Sequence, residues 1–247
     1  MGEAGTVGEA GAVAEAGTVG EAGAVAEAGA GRTDPLRMFL VLRRGAIGSL
    51  ARAGELAGAA AVACVRREEW AEAVGAWRPR PGKVCLRARN DAQWAQVLEQ
   101  EPHALAGDPD GEAVAALPPR RRSERGPLLE RLQAMSSALE PPPPNGEPPA
   151  GGVLYVLNPD APMSSGKTVA QIAHAAVMAA DTGDLEDWVA SGCPAPVIAP
   201  DAAGFRAAEH SGACVARVVD AGLTELPPNT LTVVALRGWC AGRRSSR

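Results

Sequence analysis

Short unbroken apolar blocks alternate along this chain with longer stretches that read as helices. MFLVLRR (38–44) is a continuous apolar run closed by charge, as expected of a short buried strand. SLARAGELAGAAAVACV (49–65) reads as a helix, EEWAEAVGAW (68–77) as a second, and GKVCLRA (82–88) as a strand. DAQWAQVLEQ (91–100) is helical again, and GEAVAAL (111–117) reads as a last strand. The alternation then starts over. VLYVLN (153–158) predicts a strand, GKTVAQIAHAAVMAA (166–180) a helix, LEDWVAS (185–191) a helix and APVIA (195–199) a short strand. FRAAEHSG (205–212) predicts a brief helix, ACVARVVDAG (213–222) a strand and turn, and TLTVVAL (230–236) a closing strand.

The two series superpose without a gap at their start, Phe39–Leu42 falling on Leu154–Leu157. Alternating strands and helices at this spacing predict an α/β fold, and the repetition predicts two tandem copies of a small mixed-sheet domain with helices on both faces. The first copy is expected over 34–139 and the second over 153–240. Between them EPPPPNGEPPAGG (140–152) reads as a stiff, extended Pro/Gly linker. Ahead of both, residues 1–33 are dominated by a repeated GTVGEAGAVAEA unit. With no bulky side chain to bury, that tail is expected to be disordered.

Composition narrows the field further. No positive start precedes an apolar run and no apolar segment approaches a bilayer's thickness, so a soluble, cytoplasmic protein without a secretory signal is expected. The net charge of −5 comes from the tail: without Glu3, Glu9, Glu15, Glu21 and Glu27 acids and bases balance. Two local basic patches remain, PRRRSER (119–125) and the basic tail (241–247), each read first as solvated surface. Cys64, Cys85, Cys193, Cys214 and Cys240 are widely spaced, and His103, His174 and His210 show no ligand spacing. Neither a disulfide framework, a metal site nor an organic cofactor is indicated. All but two of the 24 basic residues are arginine. The two lysines, Lys83 and Lys167, are therefore candidates for positions that want a compact ammonium.

Lys167 stands in SSGKT, which superficially suggests a phosphate loop. That loop needs an early glycine, and the position holds Ala161 followed by Pro162, so the reading fails. Helical geometry offers more. Lys167, Gln171 and His174 lie along one stripe, while Val169, Ile172, Ala176 and Val177 take the opposite, core-facing side. Gly166 sits at the helix start, where free N–H groups favour developing negative charge. The plainer alternative makes Gln171 and His174 satisfied polar groups beneath a neighbouring loop.

NPDAPMSSGKTVAQIAHA (158–175) resembles the signature of the archaeal/eukaryotic-type (type 2) peptidyl-tRNA hydrolases, with Asp160, Met163, Gly166, Lys167, Gln171, His174 and Ala175 in register. DAGLTELPPNTLTVVAL (220–236) matches a second signature of that family through Asp220, Ala221, Gly222, Thr224, Thr230 and Thr232. The resemblance covers residues 153–238 and implies hydrolysis of the ester between a peptide and the 3′ end of tRNA by direct attack of water. It implies a catalytic set of Lys167, His174, Asp220 and Thr224, with Gly166 and Gln171 contacting substrate or completing the network. It implies peptidyl-tRNA as partner and no membrane.

In the first copy the same skeleton is worn: Lys167 falls on Arg52, Gln171 on Leu56 and His174 on Ala59. Counting back from the closing strand places Asp220 on Glu101 and Thr224 on Leu105. The family's lysine-bearing middle strand is missing from the second copy, which reads CPAPVIAP (193–200), whereas the first keeps PGKVCLRAR with Lys83, Arg87 and Arg89. Because enzymes of this family are dimers, the tandem chain reads as an internal pseudo-dimer, the first copy supplying phosphate contacts and the second the chemistry. The alternative from a different class is a catalytically inactive RNA- or protein-binding paralogue.

Overall fold

A computed structural model describes residues 34–136 and 138–238. The expectations for the tail, for Cys240 and for the basic C-terminus fall outside those residues. The first series runs β1 (Arg37–Arg43), α1 (Leu50–Val65), α2 (Ala71–Trp77), β2 (Gly82–Ala88), α3 (Asp91–Gln100), β3 (Ala104–Gly107), β4 (Ala113–Arg120), α4 (Pro127–Glu130) and β5 (Gln133–Ala134). The second runs β6 (Val153–Leu157), α5 (Ser165–Ala180), α6 (Glu186–Ala190), β7 (Val197–Ile198), α7 (Ala202–Glu209), β8 (Cys214–Asp220) and β9 (Thr230–Arg237).

The strands form two mixed sheets in the orders β3-β4-β1-β2-β5 and β7-β6-β9-β8. Their wiring is the same. β1 is parallel to β2 and antiparallel to β4, which is antiparallel to β3. β6 is likewise parallel to β7 and antiparallel to β9, which is antiparallel to β8. The first sheet adds only the β5 edge, antiparallel to β2. The equivalence extends to helix ends: Ser49 caps α1 by accepting the Arg52 N–H, as Ser164 caps α5 by accepting the Lys167 N–H. Two strands escape the hydrophobic pattern. β3 (ALAG) is built of small residues, and β5 is two residues long.

Strand alternation decides what each sheet face covers. In β1, Met38, Leu40 and Leu42 face one large core, while Phe39 and Val41 face a second core under α3 and α4. In β6, Val153, Tyr155 and Leu157 join that same large core, and Leu154 and Val156 pack under α7. The large core is filled by α1 and α5, which touch each other and lie between the two sheets. The layers are thus helix, sheet, paired helices, sheet, helix.

The paired layer is thin because its contacts are small. A Cβ on Gly54 would lie 2.4 Å from Cδ1 of Ile172, and one on Gly58 would lie 3.1 Å from Ala176 and 3.2 Å from the Tyr155 hydroxyl. The Pro-rich stretch 140–152 has no helix and no named strand and is tied at both flanks. Leu50 N–H donates to the Glu140 carbonyl (2.9 Å), and Ala199 N–H donates to the Pro143 carbonyl (2.9 Å). No helix among the described residues is long and apolar enough to cross a membrane.

One contact carries the first half to the head of α5. A Cβ on Gly166 would sit 2.4 Å from the backbone oxygen of Met135, just after β5. Backbone cannot retreat as a side chain can, so Gly166→Ala is expected to cost about 1–3 kcal/mol of stability. The urea midpoint should fall accordingly, and an unchanged midpoint would show that the crossing is not tight.

Candidate active site

The head of α5 meets the turn between β8 and β9. Ser164, in extended backbone, caps the helix, its hydroxyl accepting the Lys167 N–H at 3.3 Å and its carbonyl receiving the Thr168 hydroxyl at 3.0 Å. This fixes the first turn from which Lys167 projects. The Lys167 Nζ stands 2.5 Å from Oδ2 of Asp220 and donates to the Thr224 hydroxyl at 3.0 Å. One turn along, Gln171 Nε2 donates to the same Asp220 oxygen at 2.6 Å, while the Gly222 N–H donates to Oδ1 at 2.9 Å.

The turn is held open by its own packing. Gly222 has φ +76° and lies against the backbone of Pro228, Asn229 N–H donates to the Asp220 carbonyl (2.8 Å), and Leu226 is buried. Thr232, fully buried on β9, donates its hydroxyl to the Val218 carbonyl beneath the cluster. The Asp220 side chain is 6 % exposed and that of Lys167 17 %, whereas Thr224 faces solvent. The cluster is therefore sheltered at the carboxylate and open at the threonine.

Burial pushes the Asp220 carboxyl up, but the Lys167 ammonium and the Gly222 and Gln171 N–H donors outweigh it and hold the group below its ordinary value. The carboxylate is ionised at neutral pH. An ammonium has three donors. Two of those of Lys167 are taken by Asp220 and Thr224, leaving one for a ligand.

His174 is placed differently. It shares the stripe with Lys167 but sits about 10 Å further along the axis at 1.5 Å per residue. Its ring makes no hydrogen bond to a described residue. Burial, and then the charge of Lys83, take its pKa down to about 3. It is a neutral imidazole across the physiological range.

Lys83 departs from the expected phosphate-facing role. It shares a face of β2 with Cys85, which belongs to the large core, and its Nζ is buried with no hydrogen-bond partner, 4.6 Å from the centre of the Trp77 ring. Burial takes its pKa down to about 7, with Asp181 opposing and Arg78 adding to the fall. Facing the junction, this ammonium is turned away from any phosphate. Arg87 donates to the Gln133 side chain (3.2 Å), and exposed Arg89 donates to the Arg131 carbonyl (3.1 Å). The start of α5 at Gly166 is covered by Met135 rather than open to a ligand.

The first half, wired like the second, carries other chemistry at the matching helix position. The Arg52 guanidinium bonds Glu55 at 2.6 Å and Glu112 at 3.2 Å. Ladder register also corrects the count made from sequence. Ala104 pairs with Ala116 as Ala216 pairs with Ala235, so four residues on, Asp108 occupies the place of Asp220. Both accept an N–H two residues ahead, from Asp110 at 3.0 Å and Gly222 at 2.9 Å. Asp108 is exposed and unpaired with Arg52, so the carboxylate survives without its ammonium. Among the described residues no group of three His, Cys, Asp or Glu is placed to hold a metal.

The residues that the sequence did not flag are Ser164 and Glu225. Ser164 could have been found as a capping residue before a helix, but Glu225, which bonds it from 61 positions away, has no local signal.

The junction makes a pH prediction. The unfolded chain takes a proton on His174 near pH 6.5 while the folded chain waits until about 3, so stability is lost as pH falls through that window. Lys83 acts alike between its ordinary 10.5 and about 7. In urea titrations His174→Asn should flatten the acid slope and Lys83→Met the alkaline one; unaltered slopes in both would contradict the burial described.

Comparison with known proteins agrees with the motifs. The sequence model of the family described as peptidyl-tRNA hydrolase PTH2 matches residues 153–239. A peptidyl-tRNA hydrolase of Staphylothermus marinus is 37% identical over 94 residues, covering 34% of this chain and 78% of the relative. One of Pyrobaculum aerophilum is 38% identical over 97 residues, covering 34% of this chain and 81% of that relative. The comparison with solved structures gives no match. Through its second half, the chain belongs to the peptidyl-tRNA hydrolase PTH2 family.

Proposed function

We propose that this protein hydrolyses the ester joining a peptide, or an N-blocked aminoacyl group, to tRNA, with one working site built by its second half. The observation that carries the reading is the convergence of Lys167, Gln171 and Thr224 on the buried Asp220 carboxylate. The relatives bear this activity in their names. An inactive paralogue would have no need to keep an ionised, nearly buried carboxylate with a full set of donors.

The chemistry follows from the charges. A water lying at the Asp220 oxygens donates one hydrogen bond to the carboxylate, which aims its lone pair at the ester carbonyl. As the carbon–oxygen bond forms, the water proton passes toward Asp220, and negative charge gathers on the former carbonyl oxygen. The third donor of Lys167 meets that oxyanion in a site sheltered from bulk water. Collapse breaks the bond to the ribose 3′ oxygen, which takes up that proton, while the second water proton leaves the new carboxylic acid for solvent. The tRNA leaves with a free hydroxyl and the peptide with a carboxylate. A carboxylate with a lowered pKa is a poor proton store, which suits orientation of the water better than full proton abstraction. His174, neutral and distant along the helix, supports the position of α5 rather than the proton path.

The first half stands to the second as a partner copy would, giving an internal pseudo-dimer. Matching strand order, matching caps and the shared α1–α5 layer support that reading. Arg87 and Arg89 are its remaining candidates for backbone phosphate, and the substrate places the work in the cytoplasm.

Lys167→Ala and Asp220→Ala should each lower kcat/KM by at least roughly 100-fold, the range for removal of a transition-state donor. His174→Asn should lose less than about tenfold, as expected of a residue outside the proton path. Full turnover in both former variants would end the reading. In tRNA binding, Arg87→Ala/Arg89→Ala should make the plot of log affinity against log salt shallower by roughly 1.5, close to one unit for each phosphate contact. An unchanged slope removes the first half from the binding surface.

A further inference from the structure

Glu225 lies outside the converging set but next to Thr224 in the chain. Its two carboxylate oxygens take both donors of Ser164: Oε2 accepts the backbone N–H at 2.8 Å and Oε1 accepts the hydroxyl at 2.7 Å. Ser164 is the same residue whose hydroxyl accepts the Lys167 N–H and starts α5. A closed ring of contacts results, from Glu225 to Ser164, along the first turn to Lys167, across to Thr224, and back to Glu225 through one peptide bond. Among the described residues no other hydrogen bond ties the tip of the turn to the helix: its remaining bonds, such as those of Asn229 to the Asp220 carbonyl and of Thr230 to the Pro227 carbonyl, lie within the turn itself.

We infer that Glu225 is a positioning residue for the hydrolytic site: by clasping Ser164 at both donors it sets the Thr224 hydroxyl on the Lys167 ammonium, and so aims that ammonium. The inference rests on the proposed hydrolase reading. The physical reason lies in the lysine stem, whose several rotatable bonds allow the ammonium to leave Asp220 and follow solvent. Asp220 holds it at one point, and one point leaves it free to swing. Thr224 supplies the second point, but Thr224 is exposed on a turn. Its location is only as fixed as the clasp beside it. The first half offers the contrast: its shorter turn has no such clasp on Ser49, and Glu112 bonds the Arg52 cation directly. There the turn is held through the cation, and the cation is consumed.

The test uses the full chain and three variants. Glu225→Ala should lower kcat roughly 10- to 100-fold with KM little changed, the scale of an ångström-sized misplacement, while the melting temperature holds. Glu225→Gln, whose amide can still accept the Ser164 N–H and donate to its hydroxyl, should stay within about threefold of the parent. Glu225→Asp, one methylene short, should lose kcat as the alanine variant does. Amide hydrogen exchange read without substrate should quicken at Ser164 and at Gly222–Thr224 in the alanine and aspartate variants only. Parent-like kcat and exchange in Glu225→Ala, or a Glu225→Gln as slow as alanine, would overturn the inference. Should the parent leave peptidyl-tRNA intact, that result falls on the hydrolase reading, and exchange at Ser164 still decides whether Glu225 holds the turn.

Discussion

Two sixteen-residue helices share one layer between two sheets, and the closeness of that layer governs the molecule. Small residues make it possible. Gly54 and Gly58 of α1 leave room for Ile172 and Ala176 of α5, with the Tyr155 hydroxyl from the sheet behind. Dispersion and apolar burial both scale with how near such surfaces come. Close approach then fixes the rotation of α5 about its axis. Val169, Ile172, Ala176 and Val177 are committed to the core, which leaves Lys167 and Gln171 directed at the β8–β9 turn. The position of the site is a consequence of core packing at the other side of the same helix.

A carboxylate sheltered as Asp220 is would be costly alone. Three donors, two from α5 and one from the turn, compensate, and the same donors set its charge state. The first half shows the other outcome of one scaffold. There an arginine replaces the lysine, and a planar fork between two carboxylates satisfies itself. Asp108 keeps its turn geometry but not its partner. At the matching position of the first half the charge is closed on itself while the strand wiring is kept.

Much of this was legible in the sequence because burial imposes periods. Apolar runs mark β1, β2, β6 and β9, and on α5 Val169, Ile172, Ala176 and Val177 lie in the core as expected, while of the polar stripe Lys167 and Gln171 reach Asp220 and His174 does not. What failed did so for physical reasons. The ALAG strand has no β-branched or aromatic residue to announce it. A count back from the closing strand lands on Glu101 rather than Asp108 because the β3–β4 turn is shorter than the β8–β9 turn, a difference that hydrogen-bond register absorbs. A shared stripe also says nothing of distance along the axis, which is what separates His174 from Asp220. Lys83 reads as surface in the sequence because its burial comes from Trp77 of its own half together with α5 of the other, which no local pattern announces.

The proline-rich connection between the halves makes their docking unimolecular. Partners that associate from solution come apart when diluted, whereas two domains joined by a short tether meet at a fixed local concentration however scarce the molecule is. An assembly of this kind need not be symmetric to persist. One member can drift until it serves only as a wall, and the other retains a neighbour that dilution cannot take away.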